Sequence, residues 1–391
     1  MIKILSPVSR VDEVDEVIAA GADELYCGVM PDEWREQYTV AASLNRRQED
    51  NAVPGTSPHF KSFAALAESV QRAHARQVPV FLAVNEHYYT HEQYPHLLAY
   101  IDRAIEAQVD ALIVGDVALM VTLQERRLPL AMHVSTAGTV FNAEAVRFYR
   151  ELGAARVILP RHLTLEEVTS LAGEIPEVPL EVFILNSRCA NVDGFCTFQH
   201  GMADLFTDEE TRRSYLNACM LPYNIGVYGE QAGKLEQDVK DRISWERQSI
   251  WSGLHIDDRP CGACALFEFD RAGVYGVKIV GRENATGKKI KDVSFMHAVR
   301  SMLAEDGIGT RDDWMLSAND DWHGFGAIAA PAHPGPVKAN ANEVAHGSLD
   351  HAAGDVYKLG GGGVSAGIGE LCVHVSLELI QQLFQLLEIR L

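Results

Sequence analysis

Five of the seven cysteines in this 391-residue chain, Cys189, Cys196, Cys219, Cys261 and Cys264, fall within a span of about 76 residues. A single cysteine usually behaves as a small buried hydrophobe. The stretch Asn186-Ser-Arg-Cys189-Ala-Asn-Val-Asp-Gly-Phe-Cys196, however, is polar and rich in turn formers. Thiols in that setting are candidate metal ligands, and four thiolates suit either a tetrahedral zinc or an iron–sulfur cluster. Zinc sites draw mostly on close Cys-x₂₋₄-Cys pairs. Only Cys261-x₂-Cys264 has that spacing, so the wide Cys189-x₆-Cys196 step leans toward a cluster and leaves zinc as the alternative.

Four other residues have the chemistry to work beside such a centre. His133, in Met-His-Val-Ser-Thr, is a candidate proton donor or acceptor because imidazole titrates near neutrality; its other reading is a histidine bonded to backbone. Arg161, after Leu159-Pro160, could clamp a carboxylate with its forked guanidinium or simply form a surface ion pair. Lys278 and Arg282 flank the end of an apolar run, with Gly281 giving backbone access, and form a candidate anion site. His87 and His91 are four apart and could share a metal on a helix, but they follow a strand directly. No Gly-x-Ser-x-Gly elbow lies near an expected strand end, and no His-Glu-x-x-His motif occurs, so a hydrolytic centre is not visible.

Positioning these side chains requires a scaffold, and the order of elements specifies one. Short apolar runs at Ile2–Leu5, Glu24–Cys27, Pro79–Val84, Ala111–Val114, Leu130–Val134, Arg156–Leu159, Leu180–Leu185 and Val277–Val280 read as strands. They lack polar alternation, as parallel strands buried on both faces do. Helical patterns separate them at about Val11–Ala20, Phe60–Arg76, Glu92–Ala107, Ala118–Arg126, Ala143–Leu152 and Leu165–Ala172, with two more near Ala263–Ala272 and Asp292–Ala304. Eight such units make a (β/α)₈ barrel. No Gly-x-Gly-x-x-Gly turn follows the first strand, which disfavours a doubly wound nucleotide fold. Tyr26, Asn85, His133, Arg161 and Asn186 then fall at strand C-termini, on the face where barrels build active sites. The connection after the seventh strand, about residues 186–262, is far longer than an ordinary βα loop and carries most of the cysteines.

Composition sets the outer limits. Hydrophobic residues make up 47% of the chain, enough for a large core, and the net charge is −20. So acidic a protein repels phosphate backbones on average, which disfavours RNA as a partner relative to a small molecule unless a local groove reverses the sign. The N-terminus lacks a signal-peptide pattern and no long uncharged apolar run occurs, so a soluble cytoplasmic protein is expected. The barrel is expected to occupy residues 1–304. Residues 305–391 form an extension rich in Gly, Ala and His, closed by a helix with Leu377, Ile380, Leu383, Phe384 and Leu387 on one face. That face could dock on the barrel or join another chain, as a homo- or hetero-oligomer.

Glu181-Val-Phe-Ile-Leu-Asn-Ser-Arg-Cys189 followed by Gly194-Phe-Cys196 resembles the signature of the peptidase U32 family. Gly273-Val-Tyr-Gly-Val-Lys278-Ile-Val-Gly281-Arg282 and the opening Leu5-Ser-Pro with Gly21-Ala-Asp-Glu-Leu-Tyr26-Cys-Gly28 are similar to further blocks of that family. The resemblance covers about residues 1–304. It implies a barrel-like fold holding a [4Fe–4S] cluster through Cys189, Cys196, Cys219 and either Cys261 or Cys264. It also implies oxygen-independent hydroxylation of ubiquinone precursors, tRNA or rRNA, the RNA-modifying members using prephenate as hydroxyl donor; other members are named collagenase-like peptidases. The sequence departs from the pattern at Asn186, where Gly is common, at Gln199, where Ser is, and throughout the tail.

Overall fold

The computed structural model describes residues 1–38, 44–46, 57–186, 192–196, 234–242, 261–304, 308–311 and 314. Eight parallel strands close into a barrel in sequence order: β1 Lys3–Pro7, β2 Glu24–Cys27, β3 Val80–Val84, β4 Ala111–Val114, β5 Ala131–Val134, β6 Arg156–Ile158, β7 Leu180–Leu185 and β8 Gly276–Ile279. The expected (β/α)₈ architecture is therefore observed, and three strands match their expected bounds residue for residue. β8 pairs with β1 through Lys3↔Gly276 and Leu5↔Lys278, which closes the ring.

Strand side chains alternate between two buried environments. Leu5, Tyr26, Phe81, Ala111, Ile113 and Ile158 cluster inside the barrel, with Phe183 packed against them. The alternate residues, such as Ile4, Leu25, Leu82, Leu112 and Val182, join the shell core under the helices. This double burial explains the unbroken apolar runs; β3 is buried at all five positions.

The described helices are α1 Val14–Ala19, α2 Asp32–Gln37, α3 Phe63–His74, α4 Tyr94–Glu106, α5 Val117–Arg126, α6 Ala143–Glu151, α7 Leu165–Glu174, α8 Leu266–Arg271 and α9 Thr286–Ser301. Side-chain caps fix several starts. Ser62 caps α3, Asp116 caps α5 and Asn142 caps α6, while Thr164 and Glu167 form a capping box on α7.

Two departures from the sequence reading have physical causes. α2 lies in a stretch read as loop; it is one short turn-and-a-half entered from Pro31, with Asp32 and Glu33 in its first turn and Trp34 buried. α9 begins at Thr286 rather than near Asp292, because its first turns bury charges in place of apolar residues. Lys289 is only 1% exposed and is paired with Glu13 at 2.8 Å. Of the extension from 305, only 308–311 and 314 are described. Trp314 is buried, and its Nε1 donates to the Val299 carbonyl at 3.2 Å. The Gly- and His-rich tract and the terminal helix lie outside the described residues.

Candidate active site

The barrel interior holds charge where apolar filling is usual. Registers Leu5↔Glu24, His133↔Arg156, Ile158↔Glu181 and Phe183↔Lys278 put Glu24, His133, Arg156, Glu181 and Lys278 on the inward face. Arg156 is the hub. Its two terminal nitrogens donate to Glu24 at 2.6 and 2.8 Å, and Nη1 also donates to Glu181 at 3.0 Å. Its guanidinium stacks over Tyr275 at 4.3 Å, and Tyr275 in turn donates its hydroxyl to Glu24 at 2.9 Å. Glu24 and Glu181 are almost fully buried, a state that carboxylates tolerate only when paired.

Lys278 shares Glu181 with Arg156 but holds it less closely, at 3.4 Å, and its ammonium rests 4.0 Å over the Tyr26 ring. Burial lowers the Lys278 pKa, and the nearby Arg156 and Arg282 charges add to that effect while Glu181 opposes it. His133 packs edge-on against Phe81, 4.6 Å between ring centres, and its buried Nδ1 has no hydrogen-bond partner. Burial, then the Arg156 and Lys278 charges, push its pKa well below the usual imidazole value. Inside the barrel that shift favours the neutral imidazole over the charged one.

The loops at the strand C-termini cover this interior. Arg161 follows β6 and is bound to Asp193, whose Oδ2 accepts from both the Arg161 main-chain N and Nε at 2.9 Å. The Arg161 guanidinium lies 4.6 Å over Phe183. Gly194 has φ +84°, and a Cβ there would stand 2.1 Å from Thr139 Cγ2, so only glycine lets the Val192–Cys196 segment settle on the turn after β5. Asn186, directly after β7, has φ +59°. Its side chain donates to the Val280 carbonyl at 3.2 Å and to Asp292 at 2.8 Å, and accepts from Lys288 at 3.1 Å. Asparagine is among the residues that tolerate this left-handed backbone, which accounts for its presence where glycine is common.

Cys261 forms an antiparallel bridge with Leu185, and the Gly262 N–H donates to the Ile184 carbonyl at 2.7 Å. Cys261 and Cys264 are exposed and Cys196 is half-buried, whereas Cys27 is fully buried with its thiol against the Phe81 carbonyl. Burial pushes the Cys27 thiol up to about 12, which makes it a core residue. The three mouth cysteines therefore sit over the β5–β8 half of the ring, on the same half as His133, Glu181 and Lys278. Cys189 and Cys219 lie outside the described residues, and among the described residues no three His, Cys, Asp or Glu side chains converge on one point. In donor type the described thiols suit a thiolate-bound centre.

Arg282 is placed differently from the expected anion clamp. It is 7% exposed, and its Nη2 donates to Asn45 Oδ1 at 3.0 Å. Its guanidinium fills space that exists only because residue 28 is glycine, since a Cβ on Gly28 would lie 2.1 Å from Nη1. The Arg282 carbonyl accepts from Ser9, whose hydroxyl in turn accepts from Lys289 at 3.1 Å. Ser9 and Lys289 resemble a Ser–Lys nucleophile in composition only: the ammonium is committed to Glu13, and the hydroxyl donates to a carbonyl. His87 and His91 are not on a helix, and His87 Nδ1 instead meets Glu86 at 3.1 Å. Glu24, Arg156 and Glu13 were not singled out from sequence. For Glu24 and Arg156 the available signal was a charge at an inward position of an otherwise apolar strand; Glu13 lies on the short helical turn after β1.

Fold and site together define a (β/α)₈ barrel with a buried cation–carboxylate–imidazole set beneath a cysteine-bearing mouth. The chain belongs to peptidase family U32, whose model matches residues 9–320. It is 25% identical over 243 residues to tRNA hydroxylation protein P of Escherichia coli K12, covering 61% of this chain and 46% of that one. It is 24% identical over 295 residues to the 23S rRNA 5-hydroxycytidine C2501 synthase of the same organism, covering 75% and 37%. It is 28% identical over 204 residues to a collagenase of Porphyromonas gingivalis W83, covering 50% and 44%. The chain spans less than half the length of each of these three relatives. Among the described residues no helix is long and apolar enough to cross a membrane.

Proposed function

We propose that the chain is an oxygen-independent hydroxylase that transfers a hydroxyl group from a carboxylate donor such as prephenate to a small aromatic substrate or a nucleobase. The observation that carries this reading is a cysteine-bearing mouth on a barrel whose interior holds a buried lysine and a buried histidine. Two relatives named for RNA hydroxylation support it. Cys189, Cys196, Cys219 and Cys261 or Cys264 would hold a [4Fe–4S] cluster, with zinc as the alternative occupant of the same thiolates. When bound, the cluster would supply redox capacity and a Lewis-acidic iron; converting C–H to C–OH without O₂ removes two electrons from the carbon, and the hydroxyl donor would take these up with the proton as its C–O bond breaks.

The chain's own residues divide the remaining work. Lys278, held loosely by Glu181, offers ammonium protons to a donor carboxylate. Arg282 adds positive potential beside it, and Arg156 fixes Glu181 so that Lys278 keeps its place. His133, whose Nδ1 is unpaired in the barrel interior, is the imidazole through which a proton released at the substrate would pass. Tyr26 walls one side of the ammonium with its ring and keeps its hydroxyl on the Ile279 carbonyl, 3.1 Å away.

The test is anaerobic incubation of reconstituted protein with prephenate and, separately, an aromatic acid or a tRNA or rRNA fragment, followed by mass spectrometry. The expected product gains one oxygen with O₂ excluded, and C196S does not form it. Oxygenation of none of these acceptors, together with cleavage of a collagen peptide by metal-free protein, would replace the hydroxylase with the peptidase reading. An insert that contains zinc and turns over nothing would leave a scaffold.

A further inference from the structure

Arg161 has the side chain of a substrate clamp but a different set of contacts. Its main-chain N and its Nε both point to one carboxylate oxygen of Asp193, and its guanidinium plane is laid on Phe183, an inward residue of β7. The Nε edge of the guanidinium is taken by a carboxylate from the chain itself. Asp193 is 8% exposed and lies three residues before Cys196, with His162 Nδ1 3.9 Å from the same oxygen. The next residue, Gly194, is pressed against Thr136 and Thr139 in a backbone conformation that disfavours other residues. The cysteine-bearing segment thus rests on the loops after β5 and β6 at two consecutive positions, one polar and one steric.

We propose that Arg161 and Asp193 form a positioning pair that holds Cys196 in place for the thiolate centre, and that Arg161 does not bind the donor. The assignment rests on the thiolate-centre reading above. It follows from the geometry of ligation: a soft metal site needs its sulfurs at fixed mutual distances, and partners of the ligand-bearing backbone set those distances. A second anchor, Asn186 with Asp292 and Lys288, ties the start of the same connection to the turn after β8 and to α9, next to the Leu185–Cys261 bridge. The two anchors bracket the cysteines from both sides of β7.

Two measurements on D193A, D193N and R161Q test the pair. In reconstituted full-length protein, a ferrous chelator should extract iron about 10- to 100-fold faster from D193A than from wild type, the range typical of lost outer-shell partners. D193N keeps an oxygen that can accept both N–H groups and should recover most of the retention. R161Q should lie between, because the main-chain N–H remains. In metal-free protein, alkylation of Cys196 should quicken several-fold in D193A while Cys264 is unchanged and the melting temperature stays close to wild type. Wild-type iron release and wild-type Cys196 reactivity in D193A would overturn the pair. So would a raised prephenate KM in R161Q with iron retention intact, which would return Arg161 to the donor. If wild-type protein takes up neither iron nor zinc, the thiolate centre itself fails, and Cys196 reactivity alone then decides whether the latch exists.

Discussion

Replacing Arg156 by methionine isolates the interior network from the rest of the molecule. The side chain keeps similar volume but leaves Glu24, 4% exposed, with only the Tyr275 hydroxyl, and Glu181, 0% exposed, with only the looser Lys278 contact at 3.4 Å. Removing one partner of a buried ion pair costs about 3–5 kcal/mol, because the remaining charge stays desolvated. Loss of stacking over Tyr275 and Phe81, at 4.3 and 5.0 Å, adds on the order of 1 kcal/mol. For a barrel of this size the melting temperature should fall by on the order of 10 °C. The loss should also depend on pH. Unpaired buried carboxyls have folded-state pKa values above their unfolded value near 4.3. A group shifted in that direction favours the fold below its unfolded pKa and loses that contribution as pH rises through the folded one. R156M should therefore be most destabilised at pH 8 and partly recover toward pH 5, as followed by circular dichroism melts. Adding E24Q should recover part of the loss at pH 8, since the two sites share one interaction. A melting temperature within about 2 °C of wild type, or a loss independent of pH, would refute the reasoning.

The other expectations are narrower. K278M should raise the donor KM about 10- to 100-fold, the cost of one charge-assisted contact, while leaving the metal content unchanged; steady-state kinetics with metal analysis reads both. His133 has a depressed pKa, so it stabilises the fold above its unfolded value near 6.5 and that contribution is lost as pH falls. H133F should accordingly lose less melting temperature than wild type between pH 7 and pH 5, and its kcat should drop by about 10²- to 10⁴-fold if the imidazole moves the proton. K289M leaves Glu13 buried without its cation, and chemical denaturation should show a loss of about 3–5 kcal/mol.

The barrel was legible because each strand is buried on both faces, so its apolar run is unbroken and short enough to exclude a helix. The same logic hid the interior. Glu24, Arg156 and Glu181 each look like an interruption of a run, and nothing local says that the three meet across the ring. They come from β2, β6 and β7 and join only when the barrel closes. α9 was located late for a related reason, since Lys289 and Asp292 are buried by pairing and not by hydrophobicity. The side-chain types at the mouth were readable, but their commitments were not. Arg161 and Arg282 each carry a fork suited to a ligand, and each is turned on a neighbour far away in sequence, Asp193 and Asn45. His133 was found at its strand end, yet the downward shift of its pKa follows from burial inside the closed ring, then from Arg156 and Lys278 on other strands. The spacing of the cysteines pointed to a metal centre, and the described thiols lie on the segments that follow β7 and precede α8.

Anaerobic purification followed by an absorption spectrum and analysis of iron, sulfide and zinc tests the central claim most directly. A brown protein with about four irons and four sulfides per chain, both lost in C196S, is the predicted result. A colourless protein carrying one zinc and no sulfide would contradict it.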